Sequence, residues 1–147
     1  MQKQTIINWL QSFTYTIEQN KGYLTELDAA IGDADHGINM ERGFKKVMEK
    51  LPTVADKDIG TILKTVSMTL ISSVGGASGP LYGTFFLRAS NAVAGKQELD
   101  AENILGLLKT GLDGIISRGK KQLGDKTMID ALHHAVMAYE SSINDVV

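Results

Sequence analysis

The chain of 147 residues contains no cysteine, only two prolines and few aromatic side chains, which make up 6 % of it. The lack of cysteine excludes disulfides, thiolate nucleophiles and cysteine-ligated zinc. With prolines only at Pro52 and Pro80, long stretches are free to form helices. No apolar run approaches the length of a membrane span, and the N-terminus lacks the apolar core of a signal peptide. We therefore expect a cytoplasmic protein that does not enter a membrane.

The chain also lacks a large excess of charge of either sign. Its formal net charge is −2, and acids and bases are interspersed. Proteins that bind nucleic acid or anionic membranes show a basic face or segment, so we expect neither kind of contact. Hydrophobic residues make up 43 % of the chain, which excludes a disordered protein. The length predicts a single domain, residues 1–147, with its own core.

Apolar residues recur at helical spacing, and no segment shows the period of two that is typical of a strand. We predict an all-α, up-down bundle of six helices with short loops. The second helix should stop near Pro52, and Asp56 or Asp58 should cap the third. Trp9 and the methionines are interpreted as core residues. The predicted helices cover about residues 6–30, 37–50, 59–74, 78–94, 101–120 and 128–143.

The stretch LDAAIGDADHGINM, residues 27–40, carries three aspartates within eight residues: Asp28, Asp33 and Asp35. Carboxylates this close repel one another unless a cation neutralises them, and hard oxygen ligands suit magnesium or calcium. Acids near a helix start also cap the helix, which would explain Asp35 alone but not Asp28. We therefore predict a magnesium site. His36 follows directly and could contact a phosphate or orient a carboxylate.

Two further loops are rich in glycine. In SSVGGASGPLYG, residues 72–83, free backbone N–H groups at a helix start could cradle an anion, or the glycines could serve a tight packing turn. SRGKKQLGDKTM, residues 117–128, is basic, and a solvated loop is its simpler interpretation. The three loops join helices 1–2, 3–4 and 5–6, which fall at the same end of an up-down bundle. Together they predict a magnesium–nucleotide pocket.

LDAAIGDADHGINMERGF, MTLISSVGGASGPLYGTFF and ISRGKKQLGDKTM closely resemble three blocks of the L subunit of dihydroxyacetone kinase, in order and over essentially the whole chain. That family folds as an antiparallel eight-helix barrel and binds ADP or ATP through two Mg²⁺ ions at one end. The resemblance implies that Asp28, Asp33 and Asp35 are the metal ligands. The implied nucleotide contacts are His36, Gly37, Ile38, Asn39, Ala77 and Ser78 on the phosphates, and Gly119 and Met128 beside the adenine.

The resemblance also implies an activity. A phosphoryl group would pass through the bound nucleotide to dihydroxyacetone held on a separate K subunit, with recharging by the M subunit of the phosphotransferase system. A transcription regulator is a further candidate partner. Family members continue into two more helices, so we expect a C-terminally short form with six of the eight. The alternative is a non-catalytic binding or regulatory form that interacts with a K-like subunit or a regulator.

Overall fold

The structure, a computed structural model, describes residues 1–145 as six α-helices without a β-strand, apart from one bridging pair of residues. The all-α prediction is confirmed. The helices are α1 Lys3–Ala29, α2 His36–Val54, α3 Ile59–Ser73, α4 Ser78–Ala92, α5 Ala101–Gly119 and α6 Met128–Asn144. No helix in residues 1–145 combines the length and the apolar character that a bilayer crossing needs.

The helices run up and down, and each packs mainly on the helices before and after it in the chain. At one end the α2–α3 and α4–α5 loops meet, because the Ile59 N–H donates to the Lys96 carbonyl over 2.8 Å. The chain start joins them there, since the Leu99 N–H donates to the Met1 carbonyl over 2.8 Å. The other three loops, residues 30–35, 74–77 and 120–127, form the opposite end, which we call the three-loop end.

The core lies between the apolar stripes of the helices. Phe44 is fully buried, and its ring packs on that of Phe13 in a T-shaped arrangement at a centroid distance of 4.7 Å. Trp9 differs from the prediction, because it remains 39 % exposed. It lies on an apolar groove of about 370 Å³ that α1, α4, α5 and α6 line together. Met68 and Met137 are also exposed, so helical spacing alone overstated how many of these side chains are enclosed.

The predicted stop of α2 near Pro52 falls two residues short, since the helix continues to Val54. A proline inside a helix removes one backbone hydrogen bond and crowds the preceding turn. Here it falls in the last turn, where few bonds remain to be lost, and the buried Leu51 holds that turn against the core. The Thr53 hydroxyl also donates to the Lys50 carbonyl over 2.7 Å.

Asp58, one of the two predicted caps, closes the start of α3. Its carboxylate accepts from the Thr61 N–H at 3.1 Å and from the Gly95 N–H at 2.9 Å, and so also joins two loops. A further hydrogen bond, from the Thr61 hydroxyl, does most to lower the pKa of Asp58 below its ordinary value of 3.8, and the two N–H groups lower it further. Removing a helix cap typically costs about 1 kcal/mol of stability.

We expect Asp58→Ala to destabilise the fold by about that amount. Because the folded-state pKa is lowered, the stabilisation by Asp58 is present above pH 3.8 and is lost as pH falls through the folded pKa. Urea unfolding from about pH 5 down to about pH 3 would measure both effects. Asp58→Asn is the control, because the amide oxygen still caps the helix but does not titrate. An acid dependence as steep in Asp58→Asn as in the parent would contradict the assignment.

Candidate functional site

The three aspartates of the α1–α2 loop converge at the three-loop end. Asp28 lies in the last turn of α1, and its Oδ2 accepts from the N–H groups of Asp35 at 2.9 Å and His36 at 3.2 Å. These bonds fold the loop back over the helix end, helped by Ala34 in the left-handed conformation. One carboxylate oxygen each of Asp28, Asp33 and Asp35 lies within 4.8 Å of the others.

The electrostatics of the aspartates suit a cation. The N–H of Asp35, more than that of His36, lowers the pKa of Asp28, so this carboxyl is held in its charged form. The hydrogen bond and negative charge of Asp35 raise the pKa of Asp33, which reflects like charges facing one another. In residues 1–145 no lysine or arginine forms an ion pair with the cluster. Three hard oxygen donors at this spacing fit Mg²⁺ or Ca²⁺.

Close packing positions the start of α2. A Cβ at Gly37 would lie 2.0 Å from the Lys21 carbonyl oxygen, so only glycine allows α2 to approach α1 this closely. The next residue back, His36, places its Nδ1 3.1 Å from the Ser78 hydroxyl. This contact joins the aspartate loop to the start of α4. The structure thus brings His36 and Ser78 together, although they are 42 residues apart.

The N-cap residues of α1, α2 and α4 supply no side-chain cap, whereas α3, α5 and α6 are capped by Asp58, Asp100 and Thr127. The first backbone N–H groups of a helix lack partners inside the helix and carry partial positive charge. The starts of α2 and α4 lie at the three-loop end, where the His36–Ser78 contact joins them, whereas α1 starts at the opposite end. They are suited to an anion such as phosphate.

The glycine turn between α3 and α4 serves two purposes. A Cβ at Gly79 would lie 2.4 Å from the Val74 carbonyl oxygen, so this glycine is needed for packing. Gly76 instead has φ +64°, and a Cβ there would meet nothing within 4 Å. It is needed for backbone conformation, because the left-handed region is costly for other residues. The packing interpretation is therefore confirmed at Gly79, whereas the anion cradle stays a prediction.

A pocket of about 540 Å³ opens between the α3–α4 and α5–α6 loops. It contains the predicted site residues Ala77, Gly119 and Met128. The Thr127–Asp130 capping box lies on the α6 side of this pocket. Asp130 also accepts from the Gly124 N–H over 2.7 Å, which joins the α5–α6 loop to the start of α6. The remaining lining residues are Pro80, Leu81, Ile115, Arg118, Lys121, Thr127 and Ile129.

Some expectations from the sequence need refinement. The basic loop is more than a solvated connection, since Lys121 lines the pocket. Arg118 lines it too and was missed, although its place before Gly119 is a signal. Ile38 is 51 % exposed, so its backbone N–H is the group it can offer to the site. Asn39, in contrast, is 6 % exposed and lies against Gly75. Arg42, which contacts Asn39, was also missed.

Comparisons with known proteins show which family the chain belongs to. The DAK2 domain model matches residues 30–146. The chain is 56 % identical over 130 residues to the PEP-dependent dihydroxyacetone kinase, ADP-binding subunit DhaL, of Escherichia coli (strain K12), covering 88 % of this chain and 62 % of that protein. It is 44 % identical over 147 residues to the ADP-binding subunit DhaL of PEP-dependent dihydroxyacetone kinase 1 of Listeria innocua, covering 99 % of this chain and 74 % of that one.

A third relative, the ADP-binding subunit DhaL of the PTS-dependent dihydroxyacetone kinase of Lactococcus lactis, is 47 % identical over 126 residues. The chain spans 62 % and 63 % of the lengths of the E. coli and Lactococcus subunits. The matched residues include most of the aspartate loop, both glycine-rich loops and five of the six helices in full. The chain therefore belongs to the DAK2 domain family, and its resemblance to the L subunit of dihydroxyacetone kinase is confirmed.

Proposed function

We propose that the chain is the nucleotide-binding subunit of a dihydroxyacetone kinase. One observation carries the proposal: the three-loop end combines the aspartate cluster, two uncapped helix starts and a partly apolar pocket, linked through His36 and Ser78. A Mg–ADP or Mg–ATP complex has three matching parts, namely cations, phosphates and a flat apolar base. The names of the relatives, which specify ADP binding, support the same ligand.

In this proposal each part of the site holds one part of the ligand. Asp28, Asp33 and Asp35 bind two Mg²⁺ ions, which would neutralise charge on the phosphates. The phosphates lie over the starts of α2 and α4. On α2 they contact the backbone of Gly37 and Ile38, together with His36 and Asn39. At the start of α4 they contact Ala77 and Ser78. The adenine lies beside Gly119 and Met128, in the pocket between the α3–α4 and α5–α6 loops. The lining of this pocket is largely apolar.

The residues of this chain bind, orient and shield, and none needs to act as a nucleophile. Phosphoryl transfer is promoted mainly by positioning and by charge stabilisation. The uncapped helix starts donate hydrogen bonds to phosphate oxygens, and the His36–Ser78 contact keeps the two starts at a fixed separation. We propose that the acceptor is dihydroxyacetone bound to a K subunit, and that an M subunit of the phosphotransferase system recharges the nucleotide.

A reconstituted assay tests this function. The chain is combined with K and M subunits, phosphoenolpyruvate and the general phosphotransferase proteins, and dihydroxyacetone phosphate is measured. We expect product that depends on Mg²⁺ and on this chain. Binding of Mg–ADP without any product would favour the alternative, a regulatory form that contacts a K-like subunit. Absence of both binding and product would contradict the proposal.

The glycine turn gives a more local prediction. We expect Gly76→Val to weaken ADP binding by the folded protein, because a β-branched residue cannot hold φ +64° without strain and the N–H groups that follow would turn away. Gly95→Val is the matched control, since Gly95 has φ +76°, is equally open and lies at the opposite end. Both variants should lose about 1–2 kcal/mol of stability.

Thermal melting and ADP calorimetry on both variants check this prediction. Ser78→Ala is a milder companion, because it removes one hydroxyl and leaves the backbone in place. We expect it to lose affinity equivalent to one hydrogen bond, about 0.5–1.5 kcal/mol. If the folded Gly76→Val protein binds Mg–ADP as tightly as Gly95→Val does, the turn is not the phosphate cradle.

A further inference from the structure

We propose that Arg42 is a positioning residue, which fixes the side-chain amide of Asn39 so that its NH₂ group faces the Gly75–Gly76 turn and donates to the phosphates. The inference rests on the function proposed above. It adds a residue that is not among the predicted site residues. Arg42 lies one helical turn after Asn39 on α2, with its guanidinium between that residue and the end of α3.

The chemistry of arginine determines which way the Asn39 amide faces. Nη2 of Arg42 lies 2.7 Å from Oδ1 of Asn39. A guanidinium has five N–H donors and no acceptor, so the amide atom opposite it must be the carbonyl oxygen. Nδ2 must then face away from Arg42. With a partner that could both donate and accept, the amide could adopt either orientation.

The Asn39 amide packs against the glycine turn, and its NH₂ group has no hydrogen-bond partner among residues 1–145. Asn39 is 6 % exposed, and its Nδ2 donates no hydrogen bond within the described residues 1–145. A Cβ at Gly75 would lie 3.1 Å from Nδ2 and 3.3 Å from Oδ1, so the whole amide lies against this glycine, with Nδ2 slightly nearer. Within residues 1–145, the Thr25 hydroxyl is the only fully enclosed side-chain polar atom without a hydrogen-bond partner. Nδ2 of Asn39 also lacks a partner, so it is not fully enclosed and a ligand can reach it. A nearly buried donor without an acceptor is costly, and a phosphate oxygen above the turn would satisfy it.

The same guanidinium also sets the position of the turn. Its Nε donates to the Ser73 carbonyl over 3.0 Å, at the last residue of α3. The carbonyls at a helix C-terminus lack partners inside the helix and attract positive charge. Next to this bond, Val74 packs tightly on Gly43. A Cβ at Gly43 would lie 2.1 Å from Val74 Cγ2. Arg42 thus connects the amide and the turn that it faces.

The test compares two cations on α2. Arg42→Gln removes the charge and the reach of the guanidinium. Lys46→Gln removes the same charge from an exposed position on the same helix, so it controls for simple attraction of an anionic nucleotide. Arg42→Lys keeps a donor-only group and should restore the amide orientation. Calorimetry with Mg–ADP gives the affinity, and thermal melting shows that each variant is folded.

We expect Arg42→Gln to weaken Mg–ADP binding by roughly 10-fold to 100-fold, the loss of one hydrogen bond to a charged group. Lys46→Gln should stay within about twofold of the parent and Arg42→Lys within about threefold. Parent affinity in folded Arg42→Gln, or equal loss in Lys46→Gln, would overturn the inference alone. A parent that binds no Mg–ADP would overturn both the inference and the proposed function.

Asn39→Asp keeps the test decisive if Arg42→Gln does not fold. The aspartate still accepts from Arg42, so the fold should be retained, but an oxygen replaces the NH₂ group. We expect Mg–ADP affinity to fall by at least about tenfold in this variant. Binding of Mg–ADP by folded Asn39→Asp with the parent's affinity would overturn the inference.

Discussion

Asp33→Asn should abolish the magnesium-dependent part of ADP binding and leave the helical content unchanged. Asp33 is the exposed member of a cluster whose carboxylate oxygens lie within 4.8 Å of one another, so the amide removes a charge that a cation needs. Loss of a direct ligand should weaken metal-dependent affinity by about 100-fold or more, since even supporting residues account for 10-fold to 100-fold. Calorimetry with Mg–ADP measures the change.

The same substitution should stabilise the metal-free protein. Repulsion between Asp33 and Asp35 is relieved, so Asp33→Asn should melt at a higher temperature than the parent in a chelator. Added Mg²⁺ should raise the melting temperature of the parent but not that of the variant, because only the parent binds it in the folded state. Asp113→Asn is the control, since it removes an equal charge from an exposed position on α5. Parent-like affinity in Asp33→Asn would refute the metal assignment.

Gly37→Ala should be the most damaging single-methyl change at the site. The new Cβ would lie 2.0 Å from the Lys21 carbonyl oxygen and 2.6 Å from the Thr25 hydroxyl, so α2 would have to move away from α1. Such overpacking typically costs about 1–3 kcal/mol. The displacement would also move Asp35 and His36 away from Asp28, so we expect ADP affinity to fall with stability.

Gly22→Ala is the matched control for that prediction. Gly22 lies inside α1 next to Lys21, and a Cβ there would meet nothing within 4 Å. Replacing a mid-helix glycine by alanine removes backbone freedom from the unfolded chain and should stabilise the fold by about 0.5–1 kcal/mol. Urea unfolding of the two variants should therefore give shifts of opposite sign. A neutral or stabilising Gly37→Ala would show that α1 and α2 do not pack as described.

The sequence allowed much of the fold to be predicted because local signals agree with the packing. Asp58 was one of two predicted caps, from its place before an apolar-periodic segment, and it accepts a hydrogen bond from its own helix start. The end of α2 was predicted two residues early, because the free-energy cost of a proline such as Pro52 depends on how much helix follows it. Trp9 was predicted to be a core residue but is partly exposed. Helical spacing shows which face of a helix a residue is on, but not whether another element covers that face.

The candidate site was predicted where its residues are close in sequence. The aspartate loop is a local motif, and its three carboxylates do converge. Contacts between distant segments left weaker signals. Arg42 looks like an ordinary exposed charge on α2, and only the structure shows its bond to the Ser73 carbonyl, 31 residues away. The two uses of the glycines, packing at Gly79 and positive φ at Gly76, also required coordinates.

Titration of ADP into metal-stripped protein, with and without Mg²⁺, tests most directly whether the three-loop end is a magnesium–nucleotide site. We predict binding of one ADP in the presence of Mg²⁺ and loss of that binding in excess chelator, because the aspartates would otherwise repel the phosphates. Equal ADP affinity in chelator would show that the aspartate cluster takes no part, and absence of binding under both conditions would contradict the nucleotide site itself.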